Sequence, residues 1–460
     1  MIANIGLLAA LGLLIVLALR GVNIIFASLL GALLIVVTNQ LPLAASFSDY
    51  YAFGPLGAFS FAGKFFILFV CGSIFGRVMG ESYAAASLAN ALSLKLGAHR
   101  ALWIITLACA VLTYGGVIIF IVVFTLYPLS LQLLQTANIP KRLFCGALAL
   151  GGGTFTLTAM PGTPSVQNVI AASALGTDLF AGAWLGIIAS LIMFGIGIWY
   201  LERERLRAQQ TGEGFVPGPK DNMPDHDPGD DVYPPWGWAL LPMVLVLSTI
   251  LLPRLLKGQF AASPEVPVTV LEQLMAFANS QPILWPSIAL VIGSVSTVFM
   301  FARLRSEPLV ALGRGAEDAI MPLMNTAAVI GFGGVVVHTS GFQLFTGLML
   351  DSGLPPLASL FISTSAVSAL VGSSSGGLQI FMETMAPSYL ALGMEPGTLH
   401  RLSAIISGGF DSLPHCGAIV ALLTITGQTH KQAYRVVGTV TVLIPVVASL
   451  ALLAIVAVSG

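Results

Sequence analysis

The stretch Thr156-Leu157-Thr158-Ala159-Met160-Pro161-Gly162-Thr163-Pro164-Ser165-Val166-Gln167-Asn168 interrupts an otherwise apolar run from 143 to 176. A bilayer-crossing helix needs about 20 mostly apolar residues, and this run is long enough. Two prolines flanking a glycine stop an α-helix, because proline has no amide hydrogen and clashes with the preceding turn. The run is therefore a span broken near mid-depth. Freed backbone is tolerated there only when it is buried in protein or lines a wet cavity. A second run, 402–428, has the same form around Gly408-Gly409-Phe410-Asp411-Ser412-Leu413-Pro414-His415-Cys416-Gly417.

Each broken span is preceded by an apolar stretch that also breaks in its middle. Thr113-Tyr114-Gly115-Gly116 interrupts 100–133, and Gly372-Ser373-Ser374-Ser375-Gly376-Gly377 interrupts 355–391. Each half is too short to span alone, so these predict re-entrant hairpins with polar tips. Uninterrupted runs place further spans near 3–19, 23–38, 59–80, 179–200, 236–255, 282–302, 317–339 and 433–458. The first lacks a basic leader and a small-residue cleavage site, so it is expected to stay as a helix.

The polar segment Glu202–Asp231 holds 12 of the 39 charged residues and four prolines. It predicts a cytoplasmic linker over 202–235 between two repeats, 1–201 and 236–460. Each repeat has three spans, a hairpin, a broken span and a last span, five crossings, so the second is inverted relative to the first. Local echoes share that order: Phe75-Gly76-Arg77-Val78 with Phe332-Gly333-Gly334-Val335, and Arg142-Leu143 with Arg401-Leu402. The expected fold is an all-α polytopic membrane protein with two inverted-topology repeats.

Composition agrees. Only 8% of the 460 residues are charged and 56% are hydrophobic, with mean hydropathy +0.92, against about 25% charged in soluble domains. That excludes a cytosolic globular enzyme, a disordered chain and, with net charge −1, a nucleic-acid binder. Most basic residues fall on one side if the N-terminus is outside. The exceptions are Lys64, Arg254, Lys257 and Arg401. Cys71, Cys109, Cys145 and Cys416 are scattered in apolar segments, with neither disulfide nor zinc spacing.

The four knots are expected to converge on one cavity, where half-helix N-termini and open carbonyls hold a carboxylate or a cation. A carboxylate near the bilayer centre costs at least ~2.5 kcal/mol, so Asp411 needs a partner or a role. With Leu413-Pro414 unwound, Asp411 and His415 can lie close together, either as a structural pair or as a proton carrier. Glu383 is a lesser candidate; His338, Glu81 and Arg77 are expected at solvated helix ends. Kinks alone would also use Pro, Gly, Ser and Thr, but four breaks in matching order favour a site. Gly372–Gly376 matches G-x-S-x-G without the strand that motif needs. No Walker A loop, metal set or catalytic group is present, so neither enzyme activity nor a bound cofactor is expected.

The segments Thr113–Val117, Tyr127-Pro128, Ile139–Arg142 and Met160–Asn168 resemble the gluconate permease (GntP) family of proton symporters, within the ion-transporter superfamily. The resemblance implies an elevator-type homodimer in the inner membrane, moving small organic anions such as gluconate, other sugar acids or hydroxy monocarboxylates. It implies a scaffold from the first three spans and last span of each half. The reading of the four breaks puts expected substrate binding at Thr113, Tyr114, Gly115, Gly116, Thr158, Gly162, Thr163, Ser165, Asn168, Ser373, Ser374 and Ser375, with Asp411 and His415 expected to couple to protons. A sodium-coupled di- or tricarboxylate symporter of the same architecture is the alternative. A membrane-embedded enzyme and a channel are the other classes weighed.

Overall fold

The computed structural model describes residues 2–117, 119–218, 221, 233–256, 270–351 and 353–459. Linker residues 219, 220 and 222–232, with Pro219, Pro224 and Pro228, and Lys257 lie outside the described residues. The described chain is helical, with no strand. Among the described residues, five helices are long and apolar enough to cross a bilayer alone.

The helices sort into two groups by packing. In the first, α1 (Ile2–Leu19), α2 (Ile24–Asn39), α3 (Ala58–Glu81), α4 (Trp236–Leu256), α5 (Leu284–Met300) and α6 (Ile320–Val336) pack together. The second holds both hairpins and both broken spans. The first hairpin is Ala101–Tyr114 with Ile119–Thr136, and the second is Pro356–Val371 with Ser374–Thr384. The first broken span runs Lys141–Gly153, Phe155–Thr158 and Val166–Leu175, and the second Pro396–Ser407 and Gly417–Ile425. Both breaks fall where the prolines stand, at 159–165 and 408–416.

Several features depart from the sequence reading. The last spans, Ala183–Gln210 and Ile444–Ser459, pack on each other and on the broken spans. They do not join the first group as the scaffold expectation had it. Small residues explain this: a β-carbon at Gly197 would strike Leu150, and one at Gly186 would strike the Ala159 carbonyl. Two amphipathic helices, Ala84–Leu96 and Ser340–Asp351, connect the groups just before each hairpin. Both are too short and mixed to register as spans. Another helix, Val270–Ser280, meets α5 at a 108° bend. Gly376 and Gly377 are not at the hairpin tip; they lie in the first turn of Ser374–Thr384, where Gly377 closes on Ser368.

The linker also departs from a solvated tether. Its first residues, 202–210, continue the helix Ala183–Gln210. Buried Glu204 receives Arg142, Arg207 and Arg435 at 3.2, 2.6 and 3.4 Å, so these arginines share one end of the molecule. Asp221 returns to Lys141 at 2.9 Å, with side-chain exposures of 2% and 5%. The Tyr127 hydroxyl and Gly218 amide also donate to Asp221, and Lys141 donates to the Thr426 carbonyl as well. The linker is thus strapped to the first hairpin and to both broken spans.

Burial opposes ionisation of Asp221, but the Gly218 amide, Lys141 and Tyr127 outweigh it and hold the carboxyl below its usual range. Its stabilisation is therefore present above the unfolded value near 3.9 and lost as pH falls through the lower folded one. Removing one partner of a buried pair leaves an uncompensated charge, so Asp221→Ala is expected to destabilise by about 3–5 kcal/mol. Thermal melting of the purified protein in detergent checks this.

Candidate functional site

The four breaks meet at one cavity of about 240 Å3 between the two helical groups. The first hairpin contributes Thr113, Gly116 and Val117, and the first broken span contributes Pro164, Ser165, Val166 and Gln167. The second hairpin contributes Gly372–Ser375, and the second broken span Asp411, Ser412 and His415–Ile419. The facing wall is mostly apolar, with Leu68, Phe69, Leu290 and Val329, but α6 adds Asn325 and Thr326.

Each hairpin tip closes on the broken span that follows it through a glycine. Gly116 has φ +98°, and a β-carbon there would stand 2.9 Å from Pro164. Gly372 has φ +63°, and a β-carbon there would stand 2.5 Å from His415 Nε2. Every break is followed by a helix whose N-terminus opens on the cavity. Ser165 and Ser373 cap two of them, accepting from the Asn168 and Gly376 amides. Unsatisfied amides and aligned peptide dipoles make such ends attractive to anions.

Asp411 accepts from the Ser412 hydroxyl at 2.8 Å and faces the Ser374 hydroxyl and amide. The Ser374 hydroxyl in turn accepts from Gln167 Nε2 at 2.8 Å, so a polar line joins the first broken span to the second hairpin. His415 lines the same cavity, but it does not pair with Asp411. Its ring faces the Ala369 carbonyl, and its Nε2 has no partner. Glu383 is away from the cavity wall and accepts from Gln379. His338 is stacked on Tyr50 at 3.6 Å instead of projecting into solvent.

The structure brings Thr113, Gly116, Ser165, Ser373, Ser374, Ser375, Asp411 and His415 to the cavity wall. It turns the other expected residues into the supports behind it. The Tyr114 hydroxyl donates to the Pro161 carbonyl. Gly115 packs on Met243, Gly162 on Phe180, and Gly408 on Thr158. Thr163 is fully buried, its hydroxyl without a partner. Asn168 donates to the Thr163 and Leu179 carbonyls at 2.8 and 2.9 Å, so its own carbonyl accepts from His400 Nε2. Thr177 then donates to His400 Nδ1, which fixes the tautomer.

Sequence reasoning missed Gln167, Asn325 and Arg401. Arg401 stood only as an exception to the charge bias, yet it is 0% exposed. Its Nε, Nη1 and Nη2 donate to the carbonyls of Ala181, Ala159 and Leu179 at 3.0, 3.2 and 3.0 Å. One planar guanidinium thus ties the first break to the loop that follows Val166–Leu175. Arg401→Lys keeps the charge but loses the fixed fork. It is expected to raise the apparent KM for substrate about tenfold, one lost hydrogen bond to a charged group being worth about 1.5 kcal/mol or more. Initial-rate uptake measures it.

The model of the GntP family permeases matches residues 2–387. A Bacillus subtilis (strain 168) protein named uncharacterized transporter YxjC is 36% identical, over 99% of this chain and 98% of its own length. The chain belongs to the GntP permease family. As a GntP permease it is an integral membrane transporter. The Escherichia coli (strain K12) inner membrane permease YgbN is 26% identical over 75% of each chain. Among solved structures, the Alcanivorax borkumensis YdaH transporter aligns over 86% of this permease and 85% of its own chain, with 16% identity and a TM-score of 0.48.

Proposed function

We propose that this permease is a secondary active symporter that moves a small organic anion, gluconate or another sugar acid or hydroxy monocarboxylate, across the inner membrane together with protons. The observation that carries the reading is the meeting of four helix N-termini and Asp411 on one cavity. The N-termini suit a carboxylate, and the hydroxyls of Ser373–Ser375 and the Gln167 amide suit a hydroxylated chain. Asp411 is the one acidic residue on the wall among the described residues. An anion entering beside it is repelled unless the carboxylate takes up a proton, so substrate and proton favour each other.

The two five-crossing halves are read as inverted repeats. The group of hairpins, broken spans and last spans is read as the moving part of an elevator, carried against the other six spans of a homodimer. The Asp178–Arg254 ion pair, which bridges the two groups, would open during that movement. Thermal shift of the purified protein against small carboxylates tests the substrate class, since a ligand bound only by the folded state raises its stability. Sugar acids raising the melting temperature in sodium-free buffer support the reading. Stabilisation only by di- or tricarboxylates with sodium would replace it with the sodium-coupled alternative.

A further inference from the structure

Along Pro356–Val371, the first arm of the second hairpin, Thr364, Ser365 and Ser368 have buried hydroxyls that bond to nothing. His415 Nε2, against Gly372 at the end of the same arm, is a fourth such atom. Four of the nine unpartnered buried side-chain atoms among the described residues therefore lie on or against this one arm. Positions 364, 365, 368 and 372 fall on one helix face, at spacings of one, three and four residues. At 1.5 Å per residue, Thr364 is about 12 Å along the axis from Gly372. The opposite face is different: Ser359 and Ser363 there pair with the Tyr389 hydroxyl at 2.7 and 3.2 Å.

An unbonded buried hydroxyl costs about 1–3 kcal/mol, so three beside an unbonded imidazole nitrogen call for a shared ligand. The ligand must donate to and accept from hydroxyls and fit between packed helices. Ordered water, which takes two to four polar partners in buried sites, is the chemical class that does both. A row of hydroxyls and water ending on an imidazole can pass a proton by successive hydrogen-bond exchange.

We propose that this face carries a file of water that delivers protons to His415 and, within the same cavity, to Asp411. The proposal rests on the proton-coupled reading given above. Other titratable groups close to that pair are Cys416 and Tyr434, which face Asp411, and His430, which bonds the Pro414 carbonyl. The substitutions that test the file leave all three of these groups in place, so its effect is separable from theirs.

The double variant Thr364→Val/Ser368→Ala removes two of the hydroxyls with little change of shape, and their loss leaves no new unpaired group. In proteoliposomes with an imposed pH difference and labelled gluconate, it is expected to slow proton-driven accumulation at least about tenfold, a tenth of the roughly 100-fold low end of what a positioned proton donor contributes. Gluconate exchange and the melting temperature should stay near wild type, and Ser359→Ala on the other face should leave accumulation unchanged. Accumulation by the double variant at the wild-type rate would overturn the file, as would equal slowing by Ser359→Ala. Wild type that exchanges gluconate yet never accumulates it under a pH difference would overturn the proton reading itself, and the file with it.

Discussion

Asp411→Asn protein in proteoliposomes is expected to exchange gluconate across the membrane and to fail to concentrate it when a pH difference is imposed. The amide keeps the shape of the carboxyl and can still accept from the Ser412 hydroxyl, so the cavity wall persists. What it cannot do is take up and release a proton. One pH unit supplies about 1.4 kcal/mol per proton, or about tenfold accumulation, and the variant should forfeit all of it. The ratio of internal to external label reads the effect directly. Accumulation equal to wild type would remove Asp411 from coupling.

Gly372→Ala is expected to lower transport by more than about tenfold in a protein that still folds. The left-handed backbone costs an L-residue roughly 1–2 kcal/mol. The new methyl would also stand 2.5 and 2.6 Å from His415 Nε2 and Cδ2. Either the tip or the imidazole must move, and both line the cavity. Gly353 supplies the control: it has φ +68°, and a β-carbon there meets nothing within 4 Å. Gly353→Ala should therefore show the strain in its melting temperature without the transport defect. If both variants transport alike, closure of the tip on His415 is unimportant.

These two effects could be framed from the sequence because the breaks announce themselves. Proline and glycine inside apolar runs have few readings at bilayer depth, so 159–165, 408–416 and the hairpin turns were legible as breaks. Which side chains of a break face the cavity was not legible. Asn168 is the most polar residue of its motif, yet three hydrogen bonds turn it into a brace against His400 and two carbonyls. Its neighbour Gln167, one position earlier on the helix, faces the cavity instead. A local motif fixes the break but leaves the rotation of the helix that follows to tertiary packing. Arg401 was invisible for a related reason. Its partners are backbone carbonyls some 220–240 positions away, and carbonyls leave no mark in a sequence. The strap at Asp221 was hidden because nothing in the local sequence sets this acid apart from the others of a charged linker.

The most direct test of the central claim is uptake of labelled gluconate by the purified wild-type protein in sodium-free proteoliposomes under an inward proton gradient. The account predicts accumulation above equilibrium that collapses when a protonophore is added. Uptake that stops at equilibrium, or that concentrates substrate only when sodium is supplied, would contradict it.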